Sequence, residues 1–312
     1  MYRKILVTGG YGTLGTALQS LVNDYPNFEF IFANSKDCNL TKIDPILSYF
    51  DEYKPDAVLH FAAVSGGVSY SIKYPATLLR DNLLMNLNVL EAGRICGVRK
   101  IVMTLSSGMY PADCPNPIKE EHIHTGAPHP SNYSYSFAKR LIEPSIKAYR
   151  TEYNLNIIGL IPNGIIGENS NYDLEAAIMP AALIRRFYEN RGNDSKIVIW
   201  GDGSPLREIT YAKDIARAFM WCLDNYDDEQ ILNVGTTEEL SVKEIAFIIA
   251  DTLGVDRKRI EFDPKRPAGQ FRKNTDNSKF VGRSQFKYTP LKETLERVIY
   301  HFCQNYPDGI RL

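Results

Sequence analysis

The sequence predicts an α/β fold, a doubly wound, Rossmann-type parallel sheet with a smaller C-terminal lobe, and three observations carry that prediction. Short β-branched apolar runs alternate with longer stretches of helical periodicity through the first half. The first run, Lys4–Thr8, passes directly into Gly9-Gly10-Tyr11-Gly12-Thr13-Leu14-Gly15 and then a helical stretch. The chain has 312 residues, about two domains' worth at roughly 150 residues each.

Taken in order, Lys4–Thr8, Phe28–Ala33, Ala57–His60, Lys100–Leu105 and Asn156–Ile161 read as strands, because continuous apolar runs suit strands buried on both faces. Between them Leu14–Asn23, Pro75–Cys96 and Tyr135–Tyr153 repeat apolar residues at helical spacing. After Pro162 the rhythm breaks in the stretch GIIGENSNYD, followed by a helix over Ala176–Asn190, a strand over Lys196–Trp200 and the turn GDGSP. Helix Lys213–Asn225 and strand Gln230–Val234 return to the main sheet, whereas Ser241–Leu253 and Leu291–Gln304 are amphipathic and suited to covering the second lobe. The expected division is a nucleotide-binding unit of 1–163 plus 208–236, and a substrate lobe of 164–207 plus 237–312.

Composition excludes several classes. With 44% hydrophobic and 23% charged residues there is ample apolar material for a core, which rules out a disordered chain. Thirty-six Lys and Arg nearly cancel 37 Asp and Glu, so no global field would hold a nucleic-acid backbone or an anionic membrane, and an anionic ligand must be met locally. The opening MYRKILVTGG has neither the apolar core of a signal peptide nor a bilayer-length run, which reads as cytoplasmic. The five cysteines form no CxxC pair and none has a His at zinc-ligand spacing; they read as reduced thiols, with no metal site. No histidine lies between 130 and 300, so that stretch has no imidazole acid or base.

The glycine turn has a physical purpose. Glycines let the backbone approach a pyrophosphate with no Cβ in the way, while a helix N-terminus offers it free N–H groups. The second strand ends in Asn34-Ser35-Lys36, where an adenosine ribose would lie. A neutral tip followed by a lysine favours the 2′-phosphate of NADP over NAD. At the end of the fourth strand stands Thr104-Leu105-Ser106-Ser107-Gly108, and Tyr135-Ser136-Phe137-Ala138-Lys139 opens a helix. Tyr135 and Lys139 share one helical face, so the ammonium can lower the phenol pKa and let it pass a proton to a carbonyl oxygen, which a strand-end serine would hold. Alone, YxxxK is weak. Glycine turn, strand-end serine and YxxxK in this order are specific.

With those motifs the chain resembles the extended short-chain dehydrogenase/reductases over essentially its whole length, and within them the GDP-L-fucose synthase group of GDP-4-keto-6-deoxymannose epimerase-reductases. Ser65-Gly66-Gly67-Val68, Tyr74-Pro75-Ala76, Tyr110-Pro111, Ser131-Asn132 and Ile184-Arg185-Arg186-Phe187 carry the closer match, with Val198 through Glu208, Arg266-Pro267-Ala268-Gly269 and Arg272-Lys273. The resemblance implies Ser106, Tyr135 and Lys139 as catalytic residues. It implies an NADP(H) site of Gly9, Gly12, Thr13, Leu14, Gly15, Asn34, Ser35, Lys36, Asn39, Leu40, Ala62, Ala63 and Pro162, with Tyr135 and Lys139. It implies a GDP-sugar site of Ser107, Gly108, Arg186, Trp200, Arg207 and Lys273. Local arginines and lysines agree with a diphosphate in a protein of near-zero net charge. Relatives pair through the helices matching Pro75–Cys96 and Tyr135–Tyr153, which implies a homodimer.

The sequence departs from that group at two positions. A Cys that follows the Ser-Ser pair in the fucose synthases, and a His before the Arg-Arg-Phe helix, are thought to move the protons at C3 and C5. Here they are replaced by Gly108 and by Ala177 or Ile178, none of which can exchange a proton. Cys114, His124 and His129 read as bystanders, and Ala268 replaces an acid of the group's pattern. The expected activity is therefore NADPH-dependent reduction at C4 of a GDP-4-keto-6-deoxy hexose or heptose without epimerisation, within surface polysaccharide biosynthesis. The rivals are a bifunctional epimerase-reductase recruiting other residues, a 4,6-dehydratase, which would want an acidic pair that Ser107-Gly108 does not supply, and a non-catalytic NADP-binding sensor.

Overall fold

The computed structural model describes residues 2–266 and 270–312; Pro267, Ala268 and Gly269 lie outside the described residues. Five strands, β1 (Lys4–Thr8), β2 (Glu29–Ala33), β3 (Ala57–His60), β4 (Lys100–Thr104) and β5 (Ile157–Ile161), form a parallel sheet in the order β2-β1-β3-β4-β5. Their side chains alternate between two cores. Leu6, Val58, Ile101, Met103 and Ile157 face one side, and Ile5, Val7, Ala57, Leu59, Val102 and Ile158 the other. That two-sided burial explains why each strand reads as an unbroken apolar run.

The first core is closed by α2 (Ile43–Tyr53), α4 (Pro75–Ile95) and α6 (Ile142–Tyr153), after a short α3 (Val68–Lys73) that leads into α4. On the opposite face lie α1 (Thr13–Gln19) and α8 (Ala212–Asn225). The expected single helix over Tyr135–Tyr153 is two helices, α5 (Tyr133–Arg140) and α6. Pro144 has no N–H to give the Arg140 carbonyl and its ring crowds that oxygen, so the hydrogen-bond ladder breaks there.

Of the second half, α8 packs on the main sheet and β9 (Leu232–Asn233) pairs with β5. By contrast β6 (Gly164–Ile166), β8 (Leu206–Tyr211) and β10 (Glu239–Ser241) make a separate three-stranded sheet, and β7 (Ile197–Trp200) pairs with β11 (Ile260–Asp263). A third core joins these strands to α7 (Met179–Glu189), α9 (Val242–Leu253) and α11 (Leu291–Asn305). The expected start of α7 at Ala176 shifts to Met179, next to a proline suited to a first helical turn. Ser241 and Glu244 cap α9 reciprocally. Phe280 of α10 (Ser278–Ser284), with Phe286 and Tyr288 after it, packs back onto the α8 side of the main sheet. Among the described residues no helix is long and apolar enough to cross a membrane.

Candidate active site

Successive strands are added to one side of β1 and then, from β3 onward, to the other, and at the C-terminal ends of these two parallel neighbours a crevice opens. The glycine turn lies there. Gly9 has φ +66°, and a Cβ on it would lie 2.7 Å from the Ala62 amide nitrogen, so the turn lies hard against the end of β3. A Cβ on Gly15 would lie 2.2 Å from the Gly10 carbonyl oxygen, which only glycine permits. Gly12 caps α1 without a side chain, leaving the N–H groups of Thr13 and Leu14 to the crevice. These residues fit a bound pyrophosphate, since the cradle would be filled by any Cβ.

At the tip of β2 the Asn34 side chain accepts from the N–H groups of Lys36 (2.8 Å) and Asp37 (3.3 Å), and the Asp37 carboxylate accepts from the Asn34 N–H at 2.9 Å. The sequence reading passed over Asp37. Its carboxylate closes the turn, and Ser35 and Lys36 stand exposed beside it. Asn39 turns the chain by accepting from Thr41, while Leu40 is buried in the first core with its carbonyl bonded to Asn88. Ala63 follows Ala62 at the crevice, and the Pro162 carbonyl at the end of β5 accepts from the Ser107 N–H at 3.2 Å.

Ser106, Tyr135 and Lys139 come together at the ends of β4 and α5. Ser106 is extended, and its Oγ accepts from the Gly108 N–H at 3.1 Å. The loop carrying it is held from α5: Ser136 Oγ donates to the Gly108 carbonyl (2.8 Å) and Arg140 Nε to that of Met109 (2.9 Å). Tyr110 is fully buried and donates to Asn233 of β9 at 2.9 Å. Lys139, buried, donates to the Thr104 carbonyl at 2.8 Å, and burial lowers its pKa to about 8.

The expected lowering of the Tyr135 pKa by Lys139 is not what this arrangement produces. Burial raises the phenol above its ordinary value and only the Ser106 hydroxyl pulls it back. A phenol held protonated at neutral pH is suited to donating a proton. Behind the triad lies a buried chain that the sequence reading did not single out. His60 bonds Thr8 Oγ1 through Nδ1 (2.8 Å) and Asn86 Oδ1 through Nε2 (3.1 Å), and Asn86 reaches the Ala138 carbonyl of α5 at 3.4 Å. Burial first, and the Lys139 charge second, lower the His60 pKa to about 3. The signal in the sequence is polar residues at the end of an apolar strand and mid-helix in α4.

In the second half the structure makes two basic groups. Arg186 of α7 donates to the Val198 carbonyl (2.8 Å), and Arg266 stacks 5.2 Å over the half-exposed Trp200 ring, close enough to Arg186 to lower its pKa further after burial. Arg207 of β8 donates to the Gln270 carbonyl at 2.9 Å, and the facing Lys273 has its pKa lowered to about 8 by burial, with Arg140 and Arg207 contributing. The turn 201–205 joins the two groups. A strap, 270–276, holds Lys273 there. Ile118 donates to the Asn274 carbonyl (2.8 Å), Asp276 to that of Ile118 (2.8 Å), and Thr275 N–H to Glu208 Oε1 (2.9 Å).

A family model, that of the NAD dependent epimerase/dehydratase family, matches residues 5–235. The chain belongs to that family. Within the epimerase/dehydratase family it is 35% identical over 309 residues to GDP-L-fucose synthase of Dictyostelium discoideum, covering 97% of this chain and 96% of that one. It is 30% identical over 305 residues to GDP-L-colitose synthase of Yersinia pseudotuberculosis, covering 96% and 97%. A crystal structure of a GDP-L-fucose synthetase from Naegleria fowleri bound to NADP superposes with a TM-score of 0.93 at 30% identity, over 99% of this chain and 95% of that one.

The departures noted in the sequence acquire locations in this family fold. A Cβ on Gly108 would lie 3.2 Å from both Asn132 Nδ2 and Ser106 Oγ and 3.7 Å from Ser136 Oγ, so position 108 faces the Ser106 and Ser136 hydroxyls. Ile178 caps α7, and the Ala177 carbonyl touches Gly67. The histidines left unplaced by sequence have structural partners: His124 bonds Glu143 of α6 (2.9 Å), and His129 caps the turn before α5 through Ser131. Cys114 is buried close to Lys273, and burial raises its pKa. Asn169, missed by sequence, donates to the Tyr11 carbonyl (3.0 Å) and accepts from Thr13 Oγ1 (3.3 Å), bracing the glycine turn from 158 and 156 residues away.

Proposed function

We propose that this chain is an NADPH-dependent reductase acting at C4 of a GDP-4-keto-6-deoxy sugar, hexose or heptose, without epimerising C3 or C5. The observation that carries this reading is the contrast at one edge of the sheet. Ser106, Tyr135 and Lys139 converge there, while position 108 beside them is glycine and the loop before α7 offers only Ala177 and Ile178. Bound NADPH supplies the hydride; Gly9, Gly12, Thr13, Leu14 and Gly15 would hold its pyrophosphate, and Asn34, Ser35 and Lys36 its adenosine phosphate, with Asp37 spent on the Asn34 amide.

The protein's own groups do the rest. Ser106 and Tyr135 hold the ketone oxygen, and Tyr135, kept protonated by burial, delivers the proton. Lys139, still charged at neutral pH and anchored on the Thr104 carbonyl, would bind the nicotinamide ribose. Arg207 and Lys273, and Arg186 with Trp200, grip the diphosphate and the base, consistent with relatives whose names specify GDP-sugars. The substrate lobe is 164–207 with 237–312. The exposed apolar residues Leu79, Leu84, Leu87 and Leu141 on α4 and beside α6 support a homodimer.

The test is NADPH oxidation followed by absorbance with GDP-4-keto-6-deoxymannose. Wild type should consume cofactor, and Tyr135→Phe should bind NADPH normally while losing turnover by roughly 10²- to 10⁴-fold. Full turnover by Tyr135→Phe would remove the proton donor from this reading.

A further inference from the structure

We propose that Asn132 is a specificity residue that touches the substrate, donating from its side-chain amide to the hydroxyl on the carbon beside the ketone, that at C3. The inference rests on the reduction of a 4-keto-6-deoxy sugar argued above and names the contact that reads one substituent of it.

The geometry fixes which way the amide points. Asn132 Oδ1 accepts from Ser71 Oγ of α3 at 3.2 Å, so Nδ2 is turned to the other side. That side is the catalytic edge, because a Cβ on Gly108 would lie 3.2 Å from Nδ2 and 3.2 Å from Ser106 Oγ. Three polar groups thus surround the space that glycine leaves open. Two are committed: Ser136 Oγ donates to the Gly108 carbonyl, and Ser106 Oγ accepts from the Gly108 N–H and lies against the Tyr135 hydroxyl. Asn132 Nδ2 is different, since among the described residues no protein acceptor pairs with it, and its residue is only half-buried, open to a ligand.

Substrate chemistry identifies the acceptor. With the C4 oxygen held by Ser106 and Tyr135, the neighbouring carbons are C5, which bears the ring oxygen and C6, and C3, which bears a hydroxyl. The C3 hydroxyl is the only one adjacent to the ketone, and so the one within reach of a donor that sits beside Ser106. A neutral amide binds that oxygen and takes no proton from the carbon, which suits reduction without exchange.

The experiment compares kcat/KM for GDP-4-keto-6-deoxymannose and its 3-deoxy counterpart, with NADPH, in wild type, Asn132→Ala and Ser71→Ala. Wild type should favour the hydroxylated sugar by roughly ten-fold, the size of one hydrogen bond. Asn132→Ala should bring that ratio close to one, and Ser71→Ala, which frees the amide to turn, should reduce it partway. An unchanged ratio in Asn132→Ala overturns the proposal; if that variant no longer binds NADPH, an unchanged ratio in Ser71→Ala does so. Equal use of both sugars by wild type also overturns it and leaves the reductase reading standing. Wild type that oxidises NADPH with neither sugar removes the reductase reading for the deoxyhexose, and this inference falls with it.

Discussion

At the residue scale burial acts on two titratable groups of the site, Lys139 and His60. Lys139 loses its charge as pH rises through about 8, because burial disfavours the ammonium. Reduction should therefore decline above that pH, approaching ten-fold per unit in kcat/KM, and a profile flat to about pH 9.5 would show that the charge is not needed. His60 predicts an effect on stability with the opposite dependence. Its folded pKa of about 3 lies below the value near 6.5 of an unfolded imidazole. Between those values the unfolded chain binds more protons than the folded one, so stability falls as pH drops through that window, by up to about 1.4 kcal/mol per unit. Urea unfolding at about pH 7 and about pH 5 should reveal the slope, and His60→Gln should remove this part of it; an identical slope in the variant would mean other groups cause it. Ser106, Tyr135 and Lys139 were legible because their spacing is local or lies at strand ends. His60, Asn132 and Asn169 were not, because the partners that give them meaning lie from 26 to 158 residues away.

At the scale of elements, sequence periodicity located the five main strands to within one residue, since two-sided burial leaves no other reading of such runs. It merged α5 with α6 because both faces keep the helical period across the break, and only the missing N–H of Pro144 separates them. The strap 270–276 was invisible to periodicity, because it is neither helix nor regular strand and is held by an isolated bridge to Ile118 and by side chains. Its anchor is Glu208, whose carboxylate accepts from Thr275 N–H (2.9 Å), Thr275 Oγ1 (3.0 Å) and Asn163 Nδ2 (2.9 Å), and whose pKa burial raises to about 7. Glu208→Ala leaves the Thr275 N–H without its acceptor, removes one of the Asn163 amide's acceptors and frees the segment that presents Lys273. We expect roughly 1–3 kcal/mol of lost stability and a KM for the GDP-sugar raised about ten-fold, with NADPH affinity little changed. Calorimetric titration with NADPH beside steady-state kinetics checks this; a loss confined to NADPH affinity would contradict the strap's role.

At the scale of the whole molecule, the main sheet holds a glycine cradle and a Ser-Tyr-Lys edge at the C-terminal ends of its strands, and the second half gathers Arg186 with Arg266, and Arg207 with Lys273. The parallel sheet and its glycine turn were readable from sequence, while the way the second half interleaves a three-stranded sheet, a two-stranded sheet and the strap was not, because its strands are short and pair far along the chain. The central claim is that this assembly reduces without moving protons at carbon. It is tested most directly by incubating the protein with NADPH and GDP-4-keto-6-deoxymannose in D2O and locating deuterium in the product by NMR. The account predicts cofactor oxidation with protium retained at both C3 and C5; deuterium at either carbon would contradict it.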